Sequence, residues 1–570
     1  MFHSHQSISK KPSSQKIEKP LGFGHWRANM FLILVFLVFG LVFYRLLDLT
    51  VLKRSDFLTT AGVQNAPTTD LSKRGKILIS NYSDNTQIVA AENKTVNILY
   101  SNNENLTDPA DDVAGKLDKI TGIDRSVLAA KLSEAGKTYQ VLADGISDAV
   151  TGQINDLKIK GIYITTQIER DYPLGTLASQ ELGFVGFQGN NRSGQYGVEA
   201  YYDDVLSGVK AEKQNNPAGS DIVLTIDKNI QEKIEATLTA TLKKWKSPSG
   251  TIIVQDPKTG NILGMVSSPS FDPNHYSDFD LNRFIDPAVQ SLYEPGSSFK
   301  PVTMSGGINT GAVTPNTTYT DTGEDDIDGR VIKNFDEKAH GVKTMRQVLE
   351  LSLNTGAVFV EGKMGDDAFL NDVVAFGFGQ KTGIDLSGEI GGNISQLYNN
   401  RKINFATASF GQGIAVTPIQ LINAYSAIAN NGRLMKPNIV KEIIAPDGSK
   451  QEITPQIIGS PITEETAHTL QSMLTDVVDI GFDKARVQGY DIAGKTGTAQ
   501  IPDPVNGGYL SQNVFIHNFL GFAPSYNARF TVLIKMDRPQ GITFASDSLS
   551  PVFGELARYL IRYFNVAPTR

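Results

Sequence analysis

Residues 219–570 open and close on strand-like runs and read as helical in between, and this layout constrains the fold more than any other feature of the chain. At the near end, Asp221-Ile222-Val223-Leu224-Thr225-Ile226-Asp227 is a strand, and Ile230 to Trp245 is an amphipathic helix. Gly250–Asp256 and Ile262–Val266 then flank Pro257-Lys258-Thr259-Gly260 as a hairpin. Helical stretches dominate from about 297 to 430. At the far end a strand is expected near 491–500. A second hairpin, Phe515–Phe522 and Arg529–Lys535, turns at Pro524-Ser525-Tyr526-Asn527, and a helix closes the chain at about 551–563. Strands at both ends with helices between indicate a single α+β domain. Gln214-Asn215-Asn216-Pro217-Ala218-Gly219-Ser220 is the best linker before it, so the boundary is set at 218/219.

Upstream, residues 51–213 give mixed signals. Lys76–Ser80 and Thr86–Ala90 read as strands, and 110–121 and 125–157 read as helices. No metal or nucleotide pattern occurs there, which favours a scaffold or spacer. Before it, Ala28 to Tyr44 carries no charge and Met30 to Tyr44 is almost wholly apolar. Such a run spans roughly 25 Å as helix, slightly short of a full crossing. Trp26 and Tyr44 suit the two interfaces, and Arg27 and Arg45 can snorkel outward. A cleaved signal peptide is disfavoured because no small-x-small site follows. Segment 28–50 is therefore expected to be a single transmembrane anchor. The tail 1–27 has five basic residues against Glu18 alone, a net +4, which places it in the cytoplasm. With −7 overall, the remainder nets −11, and an acidic ectodomain is a poor nucleic-acid binder. Cysteine is absent, which excludes disulfides and thiolate metal sites.

Three short stretches carry chemistry. In Glu294-Pro295-Gly296-Ser297-Ser298-Phe299-Lys300, a Pro-Gly turn delivers a serine to a helix start, and a lysine follows three residues later on the same face. This is the minimal layout of a serine nucleophile with a lysine base, and a helix N-terminus offers free N–H groups to an oxyanion. Ser-x-x-Lys alone is weak, since Ser7…Lys10 and Ser13…Lys16 repeat it in the tail. In Ser352-Leu353-Asn354, between helices at Thr344–Leu351 and Thr355–Lys363, a loop lets Ser352 relay a proton and Asn354 bond a substrate amide. In Lys495-Thr496-Gly497-Thr498, a strand carries a glycine where another group approaches the backbone closely. Lys495 supplies fixed positive charge there, and two hydroxyls can grip a carboxylate. A second Lys-Thr-Gly at 381–383 follows a loop-like run and reads as structural. No Gly-x-Ser-x-Gly elbow and no His-Glu-x-x-His occurs, and His275, His340, His468 and His517 read as surface or satisfied structural residues.

Such a set in this order is a catalytic signature of penicillin-binding proteins and serine β-lactamases. The chain resembles the class B penicillin-binding proteins, membrane-anchored monofunctional peptidoglycan transpeptidases. The likeness also runs through Arg170-Asp171-Tyr172-Pro173, Gly197-Val198-Glu199, Leu224–Asp227, Tyr293–Gly296, Gly411-Gln412-Gly413-Ile414-Ala415-Val416-Thr417-Pro418 and Gly521-Phe522-Ala523-Pro524. It implies a β-lactamase/transpeptidase-like domain at 219–570, an antiparallel sheet flanked by helices plus an all-helical part. It also implies a non-catalytic, dimerisation-type pedestal at 51–218, in a single-pass protein of the bacterial cell membrane. By the resemblance, Ser297 attacks the carbonyl of the penultimate D-alanine of a stem peptide and Lys300, neutral through burial and the nearby Lys495, takes its proton. Ser352 passes the proton to the leaving group, and Asn354 holds the peptide. The N–H groups of Ser297 and Thr498 form the oxyanion hole, and Thr496 and Thr498 bind the terminal carboxylate. The expected partners are stem peptides, β-lactams and a membrane-embedded glycan polymerase, with no cofactor or metal. A D,D-carboxypeptidase, a β-lactam-hydrolysing or sensing protein, and a non-catalytic wall scaffold are the alternatives. The family's middle residue is commonly small and polar where this chain has Leu353.

Overall fold

The computed structural model describes residues 71–84, 86–188, 191–208, 218–503, 505–510 and 514–570, and before these only Met30, Phe36, Leu37, Phe39 and Gly40. The expected tail and nearly all of the 28–50 run thus lie outside the described residues. Among the described residues, no helix is long and apolar enough to cross a membrane.

Residues 69–570 form one unit. It begins with β1 (Ile77–Ser80) and the fifteen-residue β2 (Gln87–Ser101). The first part of β2 pairs with β1. Its second part pairs with Gln140–Ile146 and Ile162–Asp171. Helices Ala110–Thr121 and Arg125–Leu132 cover that far end, where Leu99, Val113, Leu117, Leu128 and Leu132 make a small core of their own. The helix expected over 125–157 is therefore corrected to a helix, a strand and a second helix. The first stops at Leu132, Gly136 turns at φ +76, and the Ser147 hydroxyl caps the helix Asp148–Asp156. Helical spacing of Leu and Ala could not reveal that Val141 and Ala143 pair with Tyr100 and Leu99. Tertiary pairing overrides local propensity here.

Beyond the expected linker, β3 (Asp221–Asp227) runs parallel to β1 and antiparallel to Val440–Ile444. One sheet therefore crosses the 218/219 boundary. The Asp227 carboxylate then accepts from Ile230 N–H and starts α1 (Lys228–Trp245). The hairpin of β4 (Ser249–Gln255) and β5 (Ile262–Ser268) follows as expected. After it come α2 (Lys300–Asn309), the small hairpin of β6 (Glu324–Ile327) and β7 (Arg330–Lys333), α3 (Met345–Leu351), α4 (Asn354–Met364) and α5 (Pro418–Ala429). The chain ends with β8 (Ala493–Gln500), β9 (Phe515–Ala523), β10 (Phe530–Asp537), α6 (Ala545–Ser548) and α7 (Ser550–Tyr563).

The five-stranded antiparallel sheet has the order β8-β9-β10-β4-β5, so the last strands of the chain join the first strands of the domain. All nine residues of β9 are buried, which requires cover on both faces, and α1, α5 and α7 pack against the sheet. The helix α5 is buried along all twelve residues, and a Thr417–Gln420 capping box starts it. These elements form the antiparallel sheet flanked by helices, with a largely helical part between, that the motifs implied. The pairs β6–β7 and Thr318–Asp321 with Gly341–Thr344 interrupt the helical region expected from 297 to 430.

Candidate active site

The site is built on backbone contacts that only glycine permits. Gly296 has φ +59 and leads into the short turn Gly296–Phe299, which continues as α2 with Pro301 in its first turn. A Cβ on Gly411 would lie 2.3 Å from the Gly296 carbonyl oxygen, and one on Gly497 would lie 2.6 Å from that of Pro295. Two distant segments thus close on the serine turn, one at Gly411 and one at Gly497. The Pro295 carbonyl accepts from Ser298 Oγ (2.8 Å) and Asn518 Nδ2 (3.1 Å), and Gly296 N–H donates to Gly411 O (3.0 Å). Tyr425 from α5 donates to the Ser298 carbonyl at 2.8 Å.

Ser297 is half-buried, and no other group among the described residues bonds its hydroxyl. It opens on a cavity of about 700 Å³, also lined by Asn354, Thr498, Gln500, Arg330 and Phe335. Lys300, Ser352 and Lys495 stand behind that wall. Lys300 is 1% exposed, and its Nζ donates to the Ser352 carbonyl (2.5 Å) and Asn354 Oδ1 (2.8 Å) and lies 3.3 Å from Ser352 Oγ. Lys495 is 0% exposed, and its Nζ donates to Ser352 Oγ at 2.9 Å. One hydroxyl therefore sits between two buried amines.

No carboxylate pairs with either lysine among the described residues. Burial, and then the charge of Lys495, hold Lys300 well below the usual lysine range. Burial alone brings Lys495 down to about 7, so the fixed charge expected of it is corrected to a group that titrates near neutrality. With Lys300 neutral, its two N–H bonds match the Ser352 carbonyl and Asn354 Oδ1. Its lone pair is then free to accept from Ser352 Oγ, whose oxygen accepts from Lys495.

Local sequence explains these positions. Ser352 caps α3 in the left-handed conformation, φ 58, which is uncommon outside glycine and turns the chain directly into α4. Leu353 is 2% exposed and points into the main core. Its apolar character serves that core while its neighbours face the site. Asn354 opens α4. Its N–H donates to Asn334 Oδ1 (2.9 Å) and its Nδ2 to the Lys333 carbonyl (2.8 Å), which fastens β7 to the site. The strand β8 is the sheet's edge, and Thr498 and Gln500 reach the cavity from it, whereas Thr496 is buried and does not line it.

The second Lys-Thr-Gly lies in a loop where Glu389 accepts from the N–H groups of Thr382 and Gly383, away from the site. Reasoning from the motifs missed Glu294, which joins three segments by accepting from Gly413 N–H and Tyr509 OH, both at 2.9 Å. It also missed Asn334 and Asn518, for which the sequence holds no local signal.

A model of the penicillin binding protein transpeptidase domain matches residues 250–558, and one of the penicillin-binding protein dimerisation domain matches 69–234. The chain belongs to the class B penicillin-binding proteins. Stage V sporulation protein D of Bacillus subtilis is 32% identical over 526 residues, 87% of this chain and 79% of that protein. Peptidoglycan D,D-transpeptidase FtsI of Escherichia coli is 28% identical over 77% of this chain and 75% of its own length. Among solved structures, penicillin binding protein 3 of Mycobacterium tuberculosis complexed with aztreonam is similar, with a TM-score of 0.64 and 31% identity. That match covers 71% of this chain and 92% of the other. In this penicillin-binding protein, the dimerisation-domain match ends within α1, so it takes in β3, the strand shared with the pedestal sheet.

Proposed function

We propose that this penicillin-binding protein is a serine-type peptidoglycan D,D-transpeptidase that works through an acyl-enzyme. The observation that carries the reading is Ser352 Oγ held between two buried amines beside the cavity onto which Ser297 opens. Ser297 Oγ attacks the carbonyl of the penultimate D-alanine, and its proton passes to the neutral Lys300 amine. Lys300 Nζ bonds Ser352 and Asn354 and not Ser297 in this structure, so the transfer requires that contact to form with substrate in place. The tetrahedral oxyanion is met by the backbone N–H groups of Ser297 and Thr498. The C–N bond breaks, and Ser352 conveys the proton from Lys300 to the departing D-alanine. The Asn354 amide holds the donor peptide, and Thr498, with Thr496 behind it, meets the terminal carboxylate. An amine of a neighbouring stem peptide then attacks the ester, releases Ser297 and leaves the crosslink.

Labelled penicillin tests this directly: it marks the wild type and does not mark Ser297→Ala. Equal labelling of both would refute Ser297 as nucleophile. Domain limits at 51–218 and 219–570, a single-pass anchor at 28–50 and a glycan-polymerase partner complete the proposal. The anchor rests on the uncharged run behind a basic tail. Detergent, and not salt, releases an anchored protein from membranes, so release by salt washing alone would contradict the anchor.

A further inference from the structure

His517 lies on β9, directly across from Thr498 on β8. It is 0% exposed, and both ring nitrogens are engaged. Nε2 is 3.1 Å from the Thr543 carbonyl and Nδ1 is 2.8 Å from Ser548 Oγ. A carbonyl can only accept, so Nε2 carries the proton and Nδ1 accepts from the Ser548 hydroxyl. Burial lowers the imidazole to about 4, which keeps this neutral tautomer at working pH. Thr543 lies just before α6 and Ser548 is its last residue, so the two bonds hold both ends of the 543–548 turn. Between them, Ala545 N–H donates to Thr498 Oγ1 at 3.1 Å. The Thr498 oxygen therefore takes a bond from the protein, and its own O–H is left to donate into the cavity it shares with Ser297 and Asn354. A hydroxyl oriented in this way favours an anionic group.

We propose that His517 is a positioning residue that pins the 543–548 turn, and through Ala545 N–H aims the Thr498 hydroxyl at the carboxylate of the acyl donor. The proposal rests on the transpeptidase reading and assigns the substrate's charge preference to a histidine that never touches substrate. No proton is exchanged with His517 in the reaction. The same turn carries Phe544, whose ring lies 5.2 Å from that of Phe335 on the cavity wall, so it also borders the mouth of the site.

The test compares acylation by benzylpenicillin, which has a free carboxylate, with acylation by its methyl ester. The wild type prefers the acid. In His517→Ala the acid reacts about tenfold more slowly and the ester barely changes, so the preference collapses. His517→Gln, whose amide can still donate to Thr543, restores part of it. On a Thr498→Val background, His517→Ala shifts the ratio no further. Equal slowing of acid and ester, or an unchanged ratio, would overturn the proposal by showing a purely structural role. Should His517→Ala fail to fold in a thermal melt, Ser548→Ala removes the Nδ1 partner and is read in the same way. A wild type acylated by neither compound would defeat the transpeptidase reading itself.

Discussion

Replacing Lys495 by methionine moves the protonation of Lys300. Burial and the Lys495 charge both depress the Lys300 amine, so removing that charge raises it. Acylation needs Lys300 neutral, and the rate therefore climbs with pH as the proton leaves. In Lys495→Met the acid limb of the pH–rate profile shifts to higher pH, as measured with a chromogenic β-lactam. A limb that stays in place would exclude coupling between the two amines. Lys300→Ala abolishes acylation while its melting curve stays cooperative; acylation at near-normal rate would remove Lys300 as the base. At this scale the sequence was informative where chemistry restricts residue type. Serine, lysine and asparagine at fixed spacing could be read directly. Asn334, which bonds the backbone of Asn354, and Glu294, which ties the serine turn to Gly413 and Tyr509, could not, because their meaning lies in partners distant along the chain.

Among elements, β8 and the serine turn are fitted to each other across Gly497. An added Cβ would meet Asn518 Oδ1 at 2.5 Å and the Pro295 carbonyl at 2.6 Å. Gly497→Ala should push the strand from the turn, lower stability by about 1–3 kcal/mol and slow penicillin acylation at least tenfold. Denaturant titration and acylation kinetics check it, and wild-type values in both would show that the contact yields freely. The terminal strands, both hairpins and the closing helix were legible from alternation and turn residues, and each lies within a few residues of its expected bounds. The strand Gln140–Ile146 was hidden because helical spacing of Ala and Leu in the surrounding stretch outweighed its short apolar pair. The hairpins between 318 and 344 were hidden by their charge: β6 is Glu-Asp-Asp-Ile, and its pairing with β7 leaves most side chains in solvent.

Over the whole molecule, a buried ionic cluster holds the pedestal together. Arg74 and Arg170 both donate to Glu199, at 2.8 Å through each Nε, and Tyr172 OH joins at 3.3 Å. Burial alone would raise the Glu199 carboxyl, but Arg170 and Arg74 outweigh it and hold the group below the ordinary range. Glu199→Ala leaves the buried Arg170 with only Asn93, and Arg74 with Asp203, as side-chain acceptors, and should destabilise by about 3–5 kcal/mol. Chemical denaturation measures this, and a loss under 1 kcal/mol would mean that water reaches the arginines. The sequence exposed Arg170, Tyr172 and Glu199 only as parts of the stretches Arg170–Pro173 and Gly197–Glu199, with no indication that they meet, and it carried no signal for Arg74.

The sheet that crosses residue 218 has a practical corollary for anyone dissecting this enzyme. A fragment starting at 219 would carry Ile222 and Leu224 on a strand stripped of its β1 neighbour, with donors and acceptors bare along one side. Such a truncated catalytic half would tend to zip onto a second copy of itself, and sticky, misassembled material in that preparation would reflect the cut and not the fold of the intact enzyme.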